Sequence, residues 1–234
     1  MRKLLIILSA ALAVAASAEA QDLNSVLKKH YEASKFADLE KVESMKIDGK
    51  TIVMGTELPM KMYRKRPGKF RLDGDFMGNK FTQVVNGDQG WQIAPWTGSN
   101  APQAMPAAQV DQLKAQSGIE GPLYDYKAKG FDASYGGVTS FDGRNTYKVT
   151  LTKGADKINF FIDTNTNFLH GMTTATNVNG QDVEVKLVYS NYKMINGIPV
   201  SHTMDTYSGT QKVLSLIFNT VEFNPSVPDA LFER

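Results

Sequence analysis

The sequence predicts a mainly β fold with a few short helices, in which about ten or eleven strands form a meandering antiparallel sheet or barrel. Three observations support this prediction. Apolar and polar residues alternate along segments such as 146–152, where Tyr147, Val149 and Leu151 share one face. Several segments end at Asn-Gly or Asp-Gly pairs, the strongest short hairpin signal. The segments also recur at roughly ten-residue spacing.

The predicted strands account for most of the chain and are separated by glycine, proline or asparagine. Residues 94–106 break the pattern with three prolines and a glycine, so we expect a loop there that carries Trp96. Hairpin turns are predicted at Asn86-Gly87, Asp142-Gly143, Asn179-Gly180 and Asn196-Gly197. The predicted strands are 44–54, 57–64, 69–76, 80–85, 89–94, 146–152, 157–162, 165–177, 181–192, 198–207 and 212–223.

Two segments have the three- and four-residue apolar spacing of helices. The first lies between Asp22 and Ser44, with Asp22 as a candidate N-cap, and forms either one helix or a helix followed by a second short one. The second spans Ala107–Gln116 directly after Pro106, a residue that suits a first helical turn. Both helices are expected to cover the sheet.

The first twenty residues are predicted to be a signal peptide. Arg2 and Lys3 precede a short apolar run, and Ala18-Glu19-Ala20 fits the small-x-small pattern of cleavage sites. The run is too short for a permanent membrane anchor. We therefore expect residues 1–20 to be cleaved and residues 21–234 to form a single domain.

Composition narrows the class of function. The chain has no cysteine, so it has neither a disulfide framework nor a thiol that could carry a lipid anchor. We expect a soluble periplasmic monomer that is not lipid-anchored. The formal net charge is only +2, whereas a nucleic-acid-binding protein carries a much larger basic excess. No nucleic-acid partner is predicted.

No motif for catalysis or metal binding is recognisable. The three histidines, His30, His170 and His202, lack the spacing of zinc ligands, and nucleophile, phosphate-loop and dinucleotide motifs are absent from the sequence. We predict no catalytic residue, no metal and no cofactor, and therefore a protein that is not an enzyme. A hydrolase with a carboxylate pair stays the least favoured alternative.

Two clusters in the first half of the chain are candidates for function. A basic cluster contains Lys61, Arg64, Lys65, Arg66, Lys69 and Arg71. It is either a set of strand-edge charges that prevent aggregation, or a local anion site or polar latch. An apolar cluster either packs the core or lines a cavity for acyl chains, to which flexible methionines are suited. Its candidate ligand-binding residues are Met60, Met62, Phe70, Leu72, Phe81, Trp91, Ile93 and Trp96.

Two motifs resemble those of the LolA-type periplasmic carriers of outer-membrane lipoproteins, especially Bacteroidetes-type sequences. They are Lys65-Arg66-Pro67-x-x-Phe70-Arg71 and Val85-Asn86-Gly87-x-x-x-Trp91-x-x-x-Pro95. The resemblance implies an unclosed antiparallel β-barrel of about eleven strands with a helical lid over a hydrophobic cavity. It also implies that Arg66, just before the proline, is a lid latch and that Trp91 borders the cavity.

The function implied by this resemblance is a carrier. Such a protein would bind the acyl chains of lipoproteins and ferry them from an inner-membrane ABC exporter to an outer-membrane acceptor. The main alternative is a non-transport module on the same fold, a periplasmic sensor or regulator that recognises lipid or a protein partner.

Overall fold

In the computed structural model, residues 22–76, 78–114, 116–178 and 181–234 are described. The predicted signal peptide and the predicted Asn179-Gly180 turn lie outside these ranges. Within them, every helix is too short or too polar to cross a membrane.

Thirteen strands form one sheet in which every paired neighbour is antiparallel. The spatial order is β6-β5-β4-β3-β2-β1-β13-β12-β11-β10-β9-β8-β7, so the first strand pairs with the last and the barrel stays open between β6 and β7. The predicted unclosed antiparallel barrel is confirmed. The strands are β1 Ser44–Val53, β2 Thr56–Lys65, β3 Lys69–Phe76, β4 Asn79–Asn86, β5 Gln89–Ala94, β6 Ser99–Ala104, β7 Asp132–Phe141, β8 Arg144–Lys153, β9 Asp156–Asp163, β10 Leu169–Val178, β11 Gln181–Ile195, β12 Ile198–Ser208 and β13 Gln211–Phe223.

The hairpin signals fall at real turns. Asp142-Gly143 and Asn196-Gly197 both have two successive positive φ angles, 46° and 78° in the first pair and 50° and 83° in the second. This is the conformation of the tight turn that matches the twist of the flanking strands.

The two strands that the sequence analysis missed are the two edges of the sheet. Residues 94–106 are not a plain loop, because they contain a 3-10 turn, Pro95–Thr97, and strand β6. Pro102 cannot donate to a ladder, a defect that only an edge strand tolerates. Strand β7 contains Gly136-Gly137, and its pairing with β8 shifts register between Tyr135 and Val138.

Three helices lie on one face of the sheet, called here the inner face. They are α1 Leu23–Ala33, α2 Phe36–Leu39 and α3 Ala107–Lys114. Asp22 caps α1 by accepting a 2.7 Å hydrogen bond from the Ser25 amide, as predicted. Lys35, with φ of 55°, separates α1 from α2, so residues 22–44 hold two helices. Helix α1 covers β8 and β9, and α3 covers β2 to β5.

The C-terminal segment packs on the opposite, outer face. After β13 the chain returns along β3 and β4 and ends in a 3-10 turn, Asp229–Phe232. Phe232, which is 1% exposed, packs with Val84 and Val227 in a small cluster on this face. The first half of the sheet is therefore covered on both faces.

Candidate functional site

Five of the eight predicted ligand-binding residues share the inner face. In the sheet, Met62 lies opposite Leu72 and Phe81 lies opposite Gly74, while Met60 and Phe70 are two residues away along the same strands. Because side chains alternate along a strand, these residues point to the same side. Met60, Met62, Phe70 and Leu72 form one apolar surface with Met105, Val110, Leu113 and Ile119 of α3 and its flanks.

Helix α3 is seated directly on this surface. Met60 and Met62 are buried and Phe70 is 0% exposed. Gly90 on β5 provides the close approach, because a Cβ there would lie 2.6 Å from Met105 Cε and 2.9 Å from Val110 Cγ2. The apolar groove is therefore filled by side chains of α3 and its flanks, and a ligand must displace them.

The aromatic end of the surface lies far from Arg66. The Phe81 ring rests on Gly74, where a Cβ would come within 2.3 Å of Phe81 Cζ. The Trp96 ring meets Phe81 edge-on, with ring centroids 5.6 Å apart, and is 60% exposed. This end of the groove presents an aromatic side chain to solvent.

Trp91 and Ile93 lie on the other face of the sheet. Gly90 pairs with the inward Val85, so its neighbour Trp91 points outward and pairs with Val84. Trp91 packs against the outer cluster of Val84, Val227 and Phe232. Ile93 lies two residues after Trp91 on the same strand, so its side chain also points to the outer face. The structure therefore does not bring these two residues to the groove, since the turn before β5 sets a register that composition alone does not reveal.

Arg66 joins the end of β2 to the two segments that follow α2 and α3, which together with these helices are called here the lid. Its Nε donates to the Val42 carbonyl at 2.8 Å and its Nη2 to the Leu39 carbonyl at 3.4 Å, both at the end of α2. The same Nη2 forms an ion pair with Glu120, which lies after α3 and whose side chain is 11% exposed. One guanidinium thus ties the segments after α2 and α3 to the end of β2.

The rest of the basic cluster divides by face. On the outer face the charges are paired with carboxylates, and Lys65 and Lys69 hold the pKa of the Asp229 carboxyl down to about 2. Arg64, an inner-face residue, contacts the Gly118 carbonyl at 3.4 Å. The outer pairs are Lys61–Asp48, Lys65–Asp229, Lys69–Asp229 and Arg71–Asp73.

Two solvent-open grooves lie beside α1 rather than at the predicted residues. Their volumes are about 500 and 490 Å³, and both run between α1 and residues 124–133. Phe36 and Tyr124 stack beside them and Tyr31 meets both rings edge-on, with centroids 4.8 to 5.6 Å apart. Tyr31 donates to the Leu123 carbonyl at 2.8 Å, and burial raises the pKa of its phenol to about 12.

The histidines are separate and buried. His30 on α1 contacts the Asn167 carbonyl through Nδ1 at 2.8 Å, and burial lowers the pKa of its imidazole to about 4. His170 and His202 are buried elsewhere in the sheet. Across the described ranges, no three histidine, cysteine or acidic side chains group closely enough to hold a metal ion. The absence of catalysis and of a cofactor stays a prediction.

Sequence reasoning missed two residues of this site. Glu120 is the carboxylate partner of Arg66, and only the fold brings the two together. Gly90 had a signal, since a glycine inside a strand marks close approach of another segment. Arg64 was part of the predicted basic cluster, and its place on the inner face follows from the alternation with Met60 and Met62.

Three solved structures share this fold over most of their length. A candidate outer membrane lipoprotein-sorting protein domain from Vibrio parahaemolyticus has a TM-score of 0.59 at 12% identity, covering 89% of this chain and 94% of that one. A DUF1329 family protein from Desulfovibrio piger has a TM-score of 0.59 at 14% identity, covering 89% and 97%. A LolA superfamily protein from Nitrosomonas europaea has a TM-score of 0.60 at 14% identity, covering 92% and 99%.

These similarities confirm the LolA-like fold that the sequence motifs indicated. No family model matches the sequence, and no curated protein matches it.

Proposed function

We propose that this protein is a non-enzymatic periplasmic carrier that binds the acyl chains of lipoproteins beneath α3 and ferries them from the inner to the outer membrane. The single observation that supports this most is the apolar inner face of β2 to β4, covered by one short helix that Arg66 tethers. The LolA-like fold of the three solved structures supports the same function.

The energetics favour an acyl chain as the ligand. Each methylene moved from water into an apolar site contributes about 0.8 kcal/mol. A long chain can therefore replace the contacts that Met105, Val110 and Leu113 make with the sheet. Binding then needs few polar contacts, which suits a carrier that must release its cargo.

Arg66 has the contacts that a reversible latch needs. Its two carbonyl contacts and its ion pair with Glu120 hold the lid in addition to the apolar packing of α3 on the sheet. Hydrogen bonds to a charged group contribute about 1.5–3 kcal/mol each, so the lid is held closed but can open. The proposal includes a cleaved signal peptide, a monomeric carrier, an inner-membrane ABC exporter as donor and an outer-membrane acceptor.

The direct test is a release assay. Spheroplasts that display a newly acylated lipoprotein are incubated with the purified protein, and the soluble fraction is analysed for acylated lipoprotein and by native mass spectrometry for the complex. The proposal predicts a soluble one-to-one complex that passes its lipoprotein to outer-membrane vesicles. A stable complex with a regulatory protein and no lipoprotein release would instead establish the sensor alternative.

A further inference from the structure

One charge on the inner face has no counter-charge. Arg66 has Glu120, and the outer-face members of the basic cluster have their own carboxylates. Arg64 forms no ion pair with any residue that the structure describes. It lies on β2 between the apolar groove and the latch, two residues from Met62 and two from Arg66.

The surroundings of Arg64 are apolar. Its cross-strand neighbours are Met45 and Phe70, and Met62 precedes it on the same face; these three residues are all buried. Its Nε is buried and has no hydrogen-bond partner among the described residues. Within the described ranges its one hydrogen bond, from Nη1 to the Gly118 carbonyl, is long at 3.4 Å.

Arg64 as a whole is partly exposed, but its buried Nε lacks a partner, which costs free energy. Withdrawing part of a charged group from water is unfavourable unless a partner compensates, and arginine cannot lose its proton to escape that cost. Burial lowers the pKa of the Arg64 guanidinium from its ordinary value. A guanidinium fork binds carboxylates and phosphates through two parallel hydrogen bonds, so an oxyanion would satisfy the free Nε.

A second polar group faces the same space. Tyr189 on β11 lies within electrostatic range of Arg64, and burial raises the pKa of its phenol to about 12, which keeps the hydroxyl protonated. This hydroxyl donates to Met172 Sδ at 3.4 Å, and a thioether is a weak acceptor. The hydroxyl can therefore turn to a stronger acceptor.

We propose that Arg64 is an anion-binding residue inside the acyl-chain site, which gives this site a preference for acyl amphiphiles with a free carboxylate or phosphate over neutral ones. The inference rests on the acyl-chain site of the proposed function and adds this class of small ligand to the lipoprotein cargo, whose own acyl chains are ester- and amide-linked and carry no acid group. The acyl chain lies along Met60, Met62 and Leu72, and the head group reaches Arg64 when the segment carrying Gly118 moves with the lid.

The test compares probes that share one chain and differ in charge. Binding of cis-parinaric acid and of its methyl ester is measured by fluorescence for the wild type, Arg64→Met and Lys61→Met. Lys61→Met removes the same charge from the outer face of the same strand and is the matched control. Competition against the bound acid by lysophosphatidic acid and by a fatty acid of equal chain length then distinguishes a phosphate from a carboxylate preference.

The wild type and Lys61→Met should bind the acid roughly tenfold or more tightly than the ester, because the contact is charge-assisted. Arg64→Met should bind both equally and remain at least as stable as the wild type in thermal unfolding, since it replaces an unpaired charge among apolar groups. Equal binding of acid and ester by the wild type, or a preference for the acid that survives in Arg64→Met, would overturn the inference alone. Binding of neither probe to the wild type would overturn the acyl-chain site itself, and the inference with it.

Discussion

Arg66 donates from Nε to the main-chain oxygen of Val42 at 2.8 Å, across 24 positions of sequence. The bond connects the end of β2 to the segment that follows α2, and the same guanidinium pairs with Glu120 beyond α3. Because every partner of this side chain belongs to a covering segment, its loss should loosen the cover without disturbing the sheet.

Replacing Arg66 by leucine is expected to open the lid. The variant loses a partly buried ion pair and two carbonyl contacts, at about 1.5–3 kcal/mol of lid closure for each well-formed hydrogen bond to the charged group. Hydrogen exchange of the amides in 107–114 and 118–121 should accelerate, while exchange in β1, β2 and β13 stays as in the wild type. Transfer of cargo between membranes should also slow, because closure and release depend on the latch.

Arg144→Leu is the control for the latch, since Arg144 pairs with Asp163 far from the lid. It should leave exchange in 107–114 unchanged. Wild-type exchange and wild-type transfer in Arg66→Leu would show that Arg66 is not a latch.

Gly90→Val is expected to unseat α3 by a different route. A side chain at this position would collide with Val110 Cγ2 at 2.9 Å and approach the Val84 carbonyl at 3.1 Å. Overpacking of this kind costs about 1–3 kcal/mol, which should appear as faster exchange in α3. Gly118→Ala is the matched control, because a Cβ there meets nothing within 4 Å. If the amides of α3 exchange at the same rate in both variants, close packing of α3 on Gly90 is not what holds the lid on the sheet.

His30 should make the protein sensitive to mild acid. Its imidazole has a pKa of about 4 in the folded chain because of burial, against 6.5 when unfolded. The unfolded state therefore binds the extra proton first, so the free energy of unfolding is highest above pH 6.5 and falls as pH drops towards 4. The whole loss is on the order of 3 kcal/mol, from 1.36 kcal/mol per pKa unit.

Urea unfolding between pH 7 and 4, compared for the wild type and His30→Gln, isolates this contribution. Glutamine retains a donor for the Asn167 carbonyl but does not titrate. The stability difference between the two proteins should shrink as the pH falls through this range. A difference that is constant with pH would show that His30 does not carry the effect.

Phe232→Ala should test the outer cluster. Phe232 is 1% exposed and packs with Val84 and Val227, so the truncation should lower the free energy of unfolding by about 3–5 kcal/mol. Trp91 belongs to the same cluster and its fluorescence should shift. Glu233→Ala, at the next and exposed position, should stay within about 0.5 kcal/mol of the wild type. A loss below 1 kcal/mol in Phe232→Ala would mean that the C-terminal turn is not a structural part of the fold.

The architecture could be predicted because alternation along each inner strand is strong. Segment 146–152 alternates without interruption, and the Asp142-Gly143 turn adopts the conformation its residues favour. The two edges could not be predicted. Pro102 in β6 and the register shift at Gly136-Gly137 in β7 protect these edge strands from pairing with other chains. The same residues interrupt the alternation of apolar and polar residues by which a strand is recognised in the sequence.

The site could be predicted only where the sequence shows which side chains of a strand share one face of the sheet. Met60, Met62, Phe70 and Leu72 fall on the expected face because their strands alternate cleanly. Trp91 and Ile93 do not fall on the expected face. A shift of one residue after the Asn86–Asp88 turn moves every side chain of the following strand to the other face of the sheet, and only the strand pairing determines that register. The same alternation places Arg64 and Arg66 on the inner face and the other basic residues on the outer face. In the sequence these residues stand together as one cluster, so the division by face is not visible there.

We claim that the inner face beneath α3 is an acyl-chain site, and a titration with a fluorescent acyl probe decides this. Leu72 and Ile93 are both half-buried aliphatic residues of the first half of the sheet, on opposite faces. We predict saturable one-to-one binding to the wild type, retained in Ile93→Glu and lost in Leu72→Glu, with both variants folded by circular dichroism. Absence of saturable binding to the wild type, or binding that survives in Leu72→Glu, would contradict the claim.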